Sequence, residues 1–151
     1  MAVMPIVQAP DPVLSQVAAD VVVFDDALIG LAEDMLATMY AANGRGIAAP
    51  QVGVLQRLFV MDAMWKDADP QPVIFVNPEI VSASEEMSTL AEGCLSIAGD
   101  LINVTRPASV VVRWRDVDGG FLEASFDGFS AACVQHEIDH LNGILITDKR
   151  Q

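Results

Sequence analysis

Gln135-His136-Glu137-Ile138-Asp139-His140 contains both histidines of a 151-residue chain, and its spacing decides how the rest is read. A separation of four residues puts His136 and His140 one helical turn apart on one face, where two imidazoles can grip a single ion. Neutral imidazole suits a borderline divalent cation, and Glu137 sits beside the first ligand, where a carboxylate can take a proton from water at an open position. The competing explanation is a surface helix that carries two histidines by accident. Because the entire histidine content falls in one motif, metal binding is the stronger reading. The helix itself is expected to begin near Ser130, after Asp127-Gly128, and to end at Asn142-Gly143, a pair suited to a left-handed cap.

Working outward, a second amphipathic helix is predicted from Asp25-Asp26 to the stop at Asn43-Gly44. Leu28, Leu31, Ala32, Met35, Leu36 and Met39 recur at three- and four-residue steps behind Asp25 as cap. The methionines share the leucine stripe and are read as core. Between the helices the chain reads as β: Arg57 to Asp62, Val73 to Asn77, and Ser109 to Arg115. The last segment is joined through Asp118-Gly119-Gly120 to Phe121 to Phe126 as a hairpin, with Arg113 and Arg115 on its wet side. Pro5, Pro10 and Pro12 keep the N-terminus extended and wrapped on the surface. Strands flanked by two helices in this order give an α+β fold. With no repeat or linker, residues 1–151 are expected to form a single domain.

A catalytic ion of this kind needs a third protein ligand and an open fourth position. Cys133 shares the face of His136 and His140, but three ligands on one straight stripe cannot easily surround an ion, so Cys133 reads as a small buried hydrophobe. Cys94, in Glu92-Gly93-Cys94-Leu95-Ser96, lies on a stretch that a strand could bring across the cavity, with Gly93 allowing close approach. Taken alone, that segment is equally consistent with an ordinary buried cysteine.

Composition narrows the function. Eight Lys and Arg against 21 Asp and Glu give a formal net charge of −13, which disfavours nucleic acid and anionic membrane as direct ligands. No stretch has the length of a membrane span, and the N-terminus lacks the pattern of a signal peptide. A cytoplasmic protein with two reduced cysteines is expected.

Three separated segments resemble the peptide deformylase family in sequence and in order. They are Gly44-Arg45-Gly46-Ile47-Ala48-Ala49-Pro50-Gln51, Glu92-Gly93-Cys94-Leu95-Ser96, and Gln135-His136-Glu137-Ile138-Asp139-His140. The resemblance implies a compact domain of antiparallel β-sheets around a central C-terminal metal-binding helix, with Cys94, His136 and His140 as ligands. It implies ferrous iron, replaceable by zinc, nickel or cobalt, all compatible with such a donor set. It further implies removal of the formyl group from N-formyl-methionyl nascent peptides, with Glu137 as base and then acid, and Gln51 and the Leu95 N–H as oxyanion donors. Gly44, Arg45, Gly46, Ile47, Phe129, Ala132 and Cys133 are then expected to contact the substrate, Gly46 through its bare backbone.

The chain departs from the family pattern at Ala98, where proline is common, at Leu101, where an arginine is common, and at Arg45, which replaces a small or aliphatic residue. The Arg45 head is expected to snorkel to solvent. Many bacterial members continue into a C-terminal helix that in some docks on the ribosome. The sequence here stops at Gln151, so docking through such a helix is not expected and proximity to the ribosome is expected to be transient. The protein is expected to be a monomer. Two other readings compete: a general His-Glu-x-x-His metallopeptidase, and a deformylase-like paralogue that keeps its metal as a binding protein with weak turnover.

Overall fold

A computed structural model describes residues 2–149. Helix α1 (Asp26–Ala41) starts where Asp25 accepts a hydrogen bond from the Leu28 N–H, satisfying one of the free amides of the first turn. Strands β1 (Gly46–Ala48), β2 (Leu58–Met61), β3 (Val73–Ala83), β6 (Ser109–Arg115) and β7 (Phe121–Asp127) make one antiparallel sheet in the order β1-β2-β3-β6-β7. Strands β4 (Met87–Cys94) and β5 (Ile97–Pro107) form a separate antiparallel hairpin. Helix α2 (Gly128–Leu141) closes the fold. This is the expected α+β arrangement.

The larger sheet lies between the helices, and β2 shows why. Its four residues are all buried because alternate side chains serve opposite layers. Leu58 and Val60 join Met35, Met39 and Val76 in a cluster with α1. Phe59 and Met61 join Phe75, Trp114, Val134 and Leu141 in a cluster with α2. The Phe59 and Phe75 rings stack at 4.3 Å. The methionines of α1 are core, as their place on the leucine stripe implies.

Several boundaries differ from expectation. Strand β3 runs past Asn77 to Ala83. Its register shifts between Val76 and Glu79, Asn77 adopts φ +50°, and Pro78 is accommodated at that irregularity, where a missing N–H breaks no ladder. Helix α2 starts at Gly128 rather than Ser130. The N-terminal segment is more than a surface wrap, since Leu14 is fully buried and residues 7 and 9 hydrogen-bond to Gln51 and Ser96. Arg113 is half-exposed between Glu79 and Glu123. Arg115, expected in solvent, instead lies between the rings of Phe24 and Phe121 at 4.4 and 4.7 Å, where cation–π attraction holds it. No helix among the described residues is long and apolar enough to cross a membrane.

Candidate active site

Helix α2 is buried over most of its circumference and carries His136, Glu137 and His140 into the interior. The hairpin β4–β5 lies across it. In β4 the positions Ser88, Leu90, Glu92 and Cys94 are turned inward, so the period of two that points Glu92 at the helix also delivers Cys94. The donor atoms of Cys94, His136 and His140 all lie within 4.8 Å of one another. His136 Nε2 and His140 Nε2 are 3.2 Å apart, and Cys94 Sγ is 3.4 Å from His140 Nε2.

The His136–His140 and Cys94–His140 separations suit a tetrahedral ion. Metal–nitrogen bonds of about 2.05 Å and a metal–sulfur bond of about 2.3 Å set donors roughly 3.3 and 3.6 Å apart. His136 Nδ1 lies 3.1 Å from Glu92 Oε1. With Nδ1–H as donor to that carboxylate, Nε2 presents its lone pair to the cluster, which is the tautomer a ligating histidine needs. Two nitrogens facing each other at this distance repel unless a proton or a cation lies between them. Cys133, on the same helix, lies outside the cluster. Burial keeps its thiol well above the usual range, so it is the inert hydrophobe its position suggests.

The buried groups of the cluster shift one another's titration. Burial acts to lower the pKa of His136, yet hydrogen bonds to Cys94 and Glu92 and the charge of Glu137 outweigh it and hold it at about 10. Burial and the neighbouring positive charges push His140 well below its ordinary value. Burial raises Glu137 to about 7, with His136 and Arg106 opposing the shift and Glu92 and Asp139 adding to it. A carboxylate near neutrality is matched to taking and returning a proton.

The residues around the cluster hold it in register. Arg106 of β5, itself buried, grips Glu92 with two bonds of 2.8 and 2.9 Å and reaches Asp139 of α2 at 2.7 Å. One guanidinium thus ties both hairpin strands to the helix. Gln51, 1% exposed, is oriented by two bonds. Its Oε1 accepts from the Ala48 N–H at 2.9 Å, and its Nε2 donates to Ser96 Oγ at 3.0 Å, which leaves the amide nitrogen 3.7 Å from Cys94 Sγ. Leu95 and Ser96 form the turn of the hairpin, so the Leu95 N–H is outside the β ladder.

An open cavity of about 440 Å³ leads from the surface to these groups, a size suited to a small ligand or side chain. Gly44, Arg45, Gly46, Phe129, Ala132 and Cys133 line it, together with Gln51, Cys94, Leu95, His136 and Glu137. Ile47 does not. Its side chain is fully buried in the α1 cluster because β1 alternates, so it can meet a substrate through its backbone alone.

Gly46 has a further reason to lack a side chain: a Cβ there would stand 2.8 Å from Glu137 Oε2. The glycine makes room for the carboxylate. Gly44 likewise seats Leu95, whose Cδ1 would lie 2.7 Å from a Cβ, while the left-handed residue of that turn is Asn43 at φ +63°. The Arg45 head is not free in solvent. It bonds the Ala63 carbonyl, lies 3.6 Å from Asp67, and rests 5.1 Å from the Phe129 ring centre at the cavity wall. Leu101 is exposed at the rim. There β5 bulges between Ile97 and Ile102, with four residues opposite the single Gly93.

Glu92, Ser96, Arg106 and Asp139 were assigned no role from the sequence. The spacing of Glu92 and Cys94 on a strand was a signal for the first. Arg106 had none, because its role depends on the pairing of β4 with β5.

A buried helix bearing His-Glu-x-x-His, a cysteine brought from a facing hairpin and an amide side chain aimed at the same point define a metal-dependent hydrolase of amide bonds. Comparison with known proteins narrows the class. The chain matches the polypeptide deformylase model over residues 3–151. It is 50% identical over 149 residues to the peptide deformylase of Brucella suis, covering 98% of this chain and 85% of that protein. To that of Prochlorococcus marinus it is 48% identical over 142 residues, covering 94% and 70%. The crystal structure of the Thermotoga maritima enzyme superposes with a TM-score of 0.94 at 38% identity, covering 100% and 99% of the two chains. The chain belongs to the polypeptide deformylase family, metal-dependent enzymes that remove the N-formyl group from newly synthesised polypeptides. That membership sets aside the general metallopeptidase reading.

Proposed function

We propose that Cys94, His136 and His140 hold one divalent ion, ferrous iron in the cell, and that Glu137, Gln51 and Leu95 carry out hydrolysis of the N-terminal formyl-methionyl amide. The convergence of a thiol and two imidazoles within 4.8 Å, beside a buried carboxylate, carries this reading. When bound, the ion acts as a Lewis acid that makes water nucleophilic near neutral pH and polarises the formyl carbonyl. Zinc, nickel and cobalt suit the same donors.

Glu137 accepts a proton from the attacking water and returns it to the departing α-amino group. Gln51 Nε2 and the Leu95 N–H donate to the oxygen that gains charge in the tetrahedral state, and their fixed orientation avoids reorganisation at that moment. The methionine side chain enters the cavity beside Phe129, Ala132 and Cys133, with the Arg45 stem as part of the wall. Gly44, Gly46 and the Ile47 backbone face the formylated end. Residues 1–151 act as a single domain and a monomer in the cytoplasm. A net charge of −13 disfavours direct contact with ribosomal RNA, so nascent chains are met by diffusion or by transient proximity to the ribosome.

The test is turnover of a short formyl-methionyl peptide by protein loaded anaerobically with ferrous iron or nickel, with acetylated and unblocked peptides for comparison and Glu137→Ala as control. Formate release confined to the formylated peptide and abolished in the control is expected. No turnover from folded, fully metallated protein would sink the proposal.

A further inference from the structure

The turn that carries the Leu95 N–H is poorly supported by its own sequence. Leu95 and Ser96 join the paired residues Cys94 and Ile97. Two-residue hairpin turns ordinarily use types with a positive φ at one or both central positions, because these match the twist of the strands. Among the described residues the non-glycine positions with positive φ are Asn43 and Asn77, so Leu95 and Ser96 adopt neither favoured type. The strands flanking the turn add little support, since the register shifts immediately beyond it, between Glu92 and Cys94.

Support for the turn, and for the Gln51 loop beside it, comes instead from three consecutive residues of the N-terminal segment. The Val7 N–H donates to the Gln51 carbonyl at 2.7 Å and the Ala9 N–H to the Ser96 carbonyl at 2.8 Å. Between them the Gln8 side chain donates from Nε2 to the Leu95 carbonyl at 2.9 Å. The Ala9 bond holds the far side of the turn and the Val7 bond holds the Gln51 loop beside it. Gln8 holds Leu95 itself, at a carbonyl that shares its Cα with the Leu95 N–H.

We propose that Gln8 is a positioning residue for the reaction: by anchoring the Leu95 carbonyl it holds in place the residue whose N–H, on the same Cα, is aimed at the developing oxyanion. This rests on the reading of Leu95 as an oxyanion donor. Gln8 itself is exposed and lies outside the cavity lining. Its loss should therefore leave packing and substrate affinity intact while loosening the turn.

The experiment compares metal-loaded wild type with Gln8→Met, which keeps the shape of the side chain without its donor, and Gln8→Lys, which restores an N–H donor on a chain of similar length. Removing one hydrogen bond of ordinary net strength is expected to lower kcat about threefold to tenfold in Gln8→Met. KM should not change, Tm should fall by only about 1–6 °C, amide hydrogen exchange over residues 94–97 should speed by a similar factor to kcat, and Gln8→Lys should recover most of these changes. An unchanged kcat or unchanged exchange in Gln8→Met overturns the inference, as does a fall in kcat accompanied by a larger fall in Tm. An inert wild type overturns the functional reading, and the role of Leu95 with it, whatever the variants show.

Discussion

Helix α2 and the β4–β5 hairpin face each other across the site and contribute to it in opposite ways. The helix carries both proposed histidine ligands and the proposed base within five consecutive residues, and their relative placement follows from the pitch of one helix. The hairpin carries Cys94 and the Leu95 N–H, and its local backbone geometry does not by itself fix where they point. That work falls to Arg106, which reaches Glu92 and Asp139, and to residues 7–9, which hold the turn and the Gln51 loop. A site half built on local geometry and half on long-range contacts should fail in two distinguishable ways.

The sharpest break is loss of a ligand from either side. His140→Ala and Cys94→Ala are both expected to bring metal content well below one per chain and activity to background, as a strong chelator would in the wild type. Metal analysis beside the formate assay checks this. If Cys94→Ala kept its ion, the hairpin would be a bystander. Within the helix, Glu137→Gln is expected to keep the metal and lose roughly a hundred- to ten-thousandfold in kcat, the range for a general acid–base group. Equal loss of metal and activity in that variant would assign Glu137 to holding the ion.

On the hairpin side, Arg106→Met leaves Glu92 buried at 8% exposure without its partner. Breaking a buried pair in this way costs about 3–5 kcal/mol, measurable by denaturant unfolding. The pH dependence sharpens the point. Burial works against ionisation of Glu92, but the hydrogen bonds from His136 and Arg106 prevail and hold its pKa below the ordinary value. A depressed carboxylate contributes stability that is present above its unfolded pKa and is lost as pH falls through the folded one. The stability gap between wild type and Arg106→Met should therefore narrow in that acidic window; a gap independent of pH would remove Glu92 from the account. The smallest effect belongs outside both regions. Asp25→Ala removes the cap of α1 at a cost of about 1 kcal/mol, and metal content and kcat should stay as they are.

The same asymmetry governs what could be read from the sequence. The helix motif was legible because its spacing is the geometry. α1, β2 and the β6–β7 hairpin were legible from apolar periodicity and turn residues. The β4–β5 hairpin was not, apart from Cys94. Its inward positions are Ser88, Leu90, Glu92 and Cys94, mostly polar because the end of that face covers the proposed metal site, so the alternation that marks a strand is missing. The outer half of β3, Glu79 to Ala83, is exposed on every residue and offers no alternation either. Pro78 reads as an end to the strand although the chain absorbs it in a register shift. The Glu92–Arg106–Asp139 network depends on how strands pair, and a single sequence does not state that.

The two glycines of the Gly44–Gly46 segment have a practical consequence for anyone who maps this protein by alanine scanning. At most positions that method subtracts atoms and reports what they contributed. At Gly44 and Gly46 it adds a methyl group where the Leu95 side chain and the Glu137 carboxylate already lie. A loss of activity there would report a displaced neighbour rather than a missing group. The variant to compare it with is one that shortens the neighbour, Leu95→Ala combined with Gly44→Ala, where truncating Leu95 should restore the space that the added methyl took.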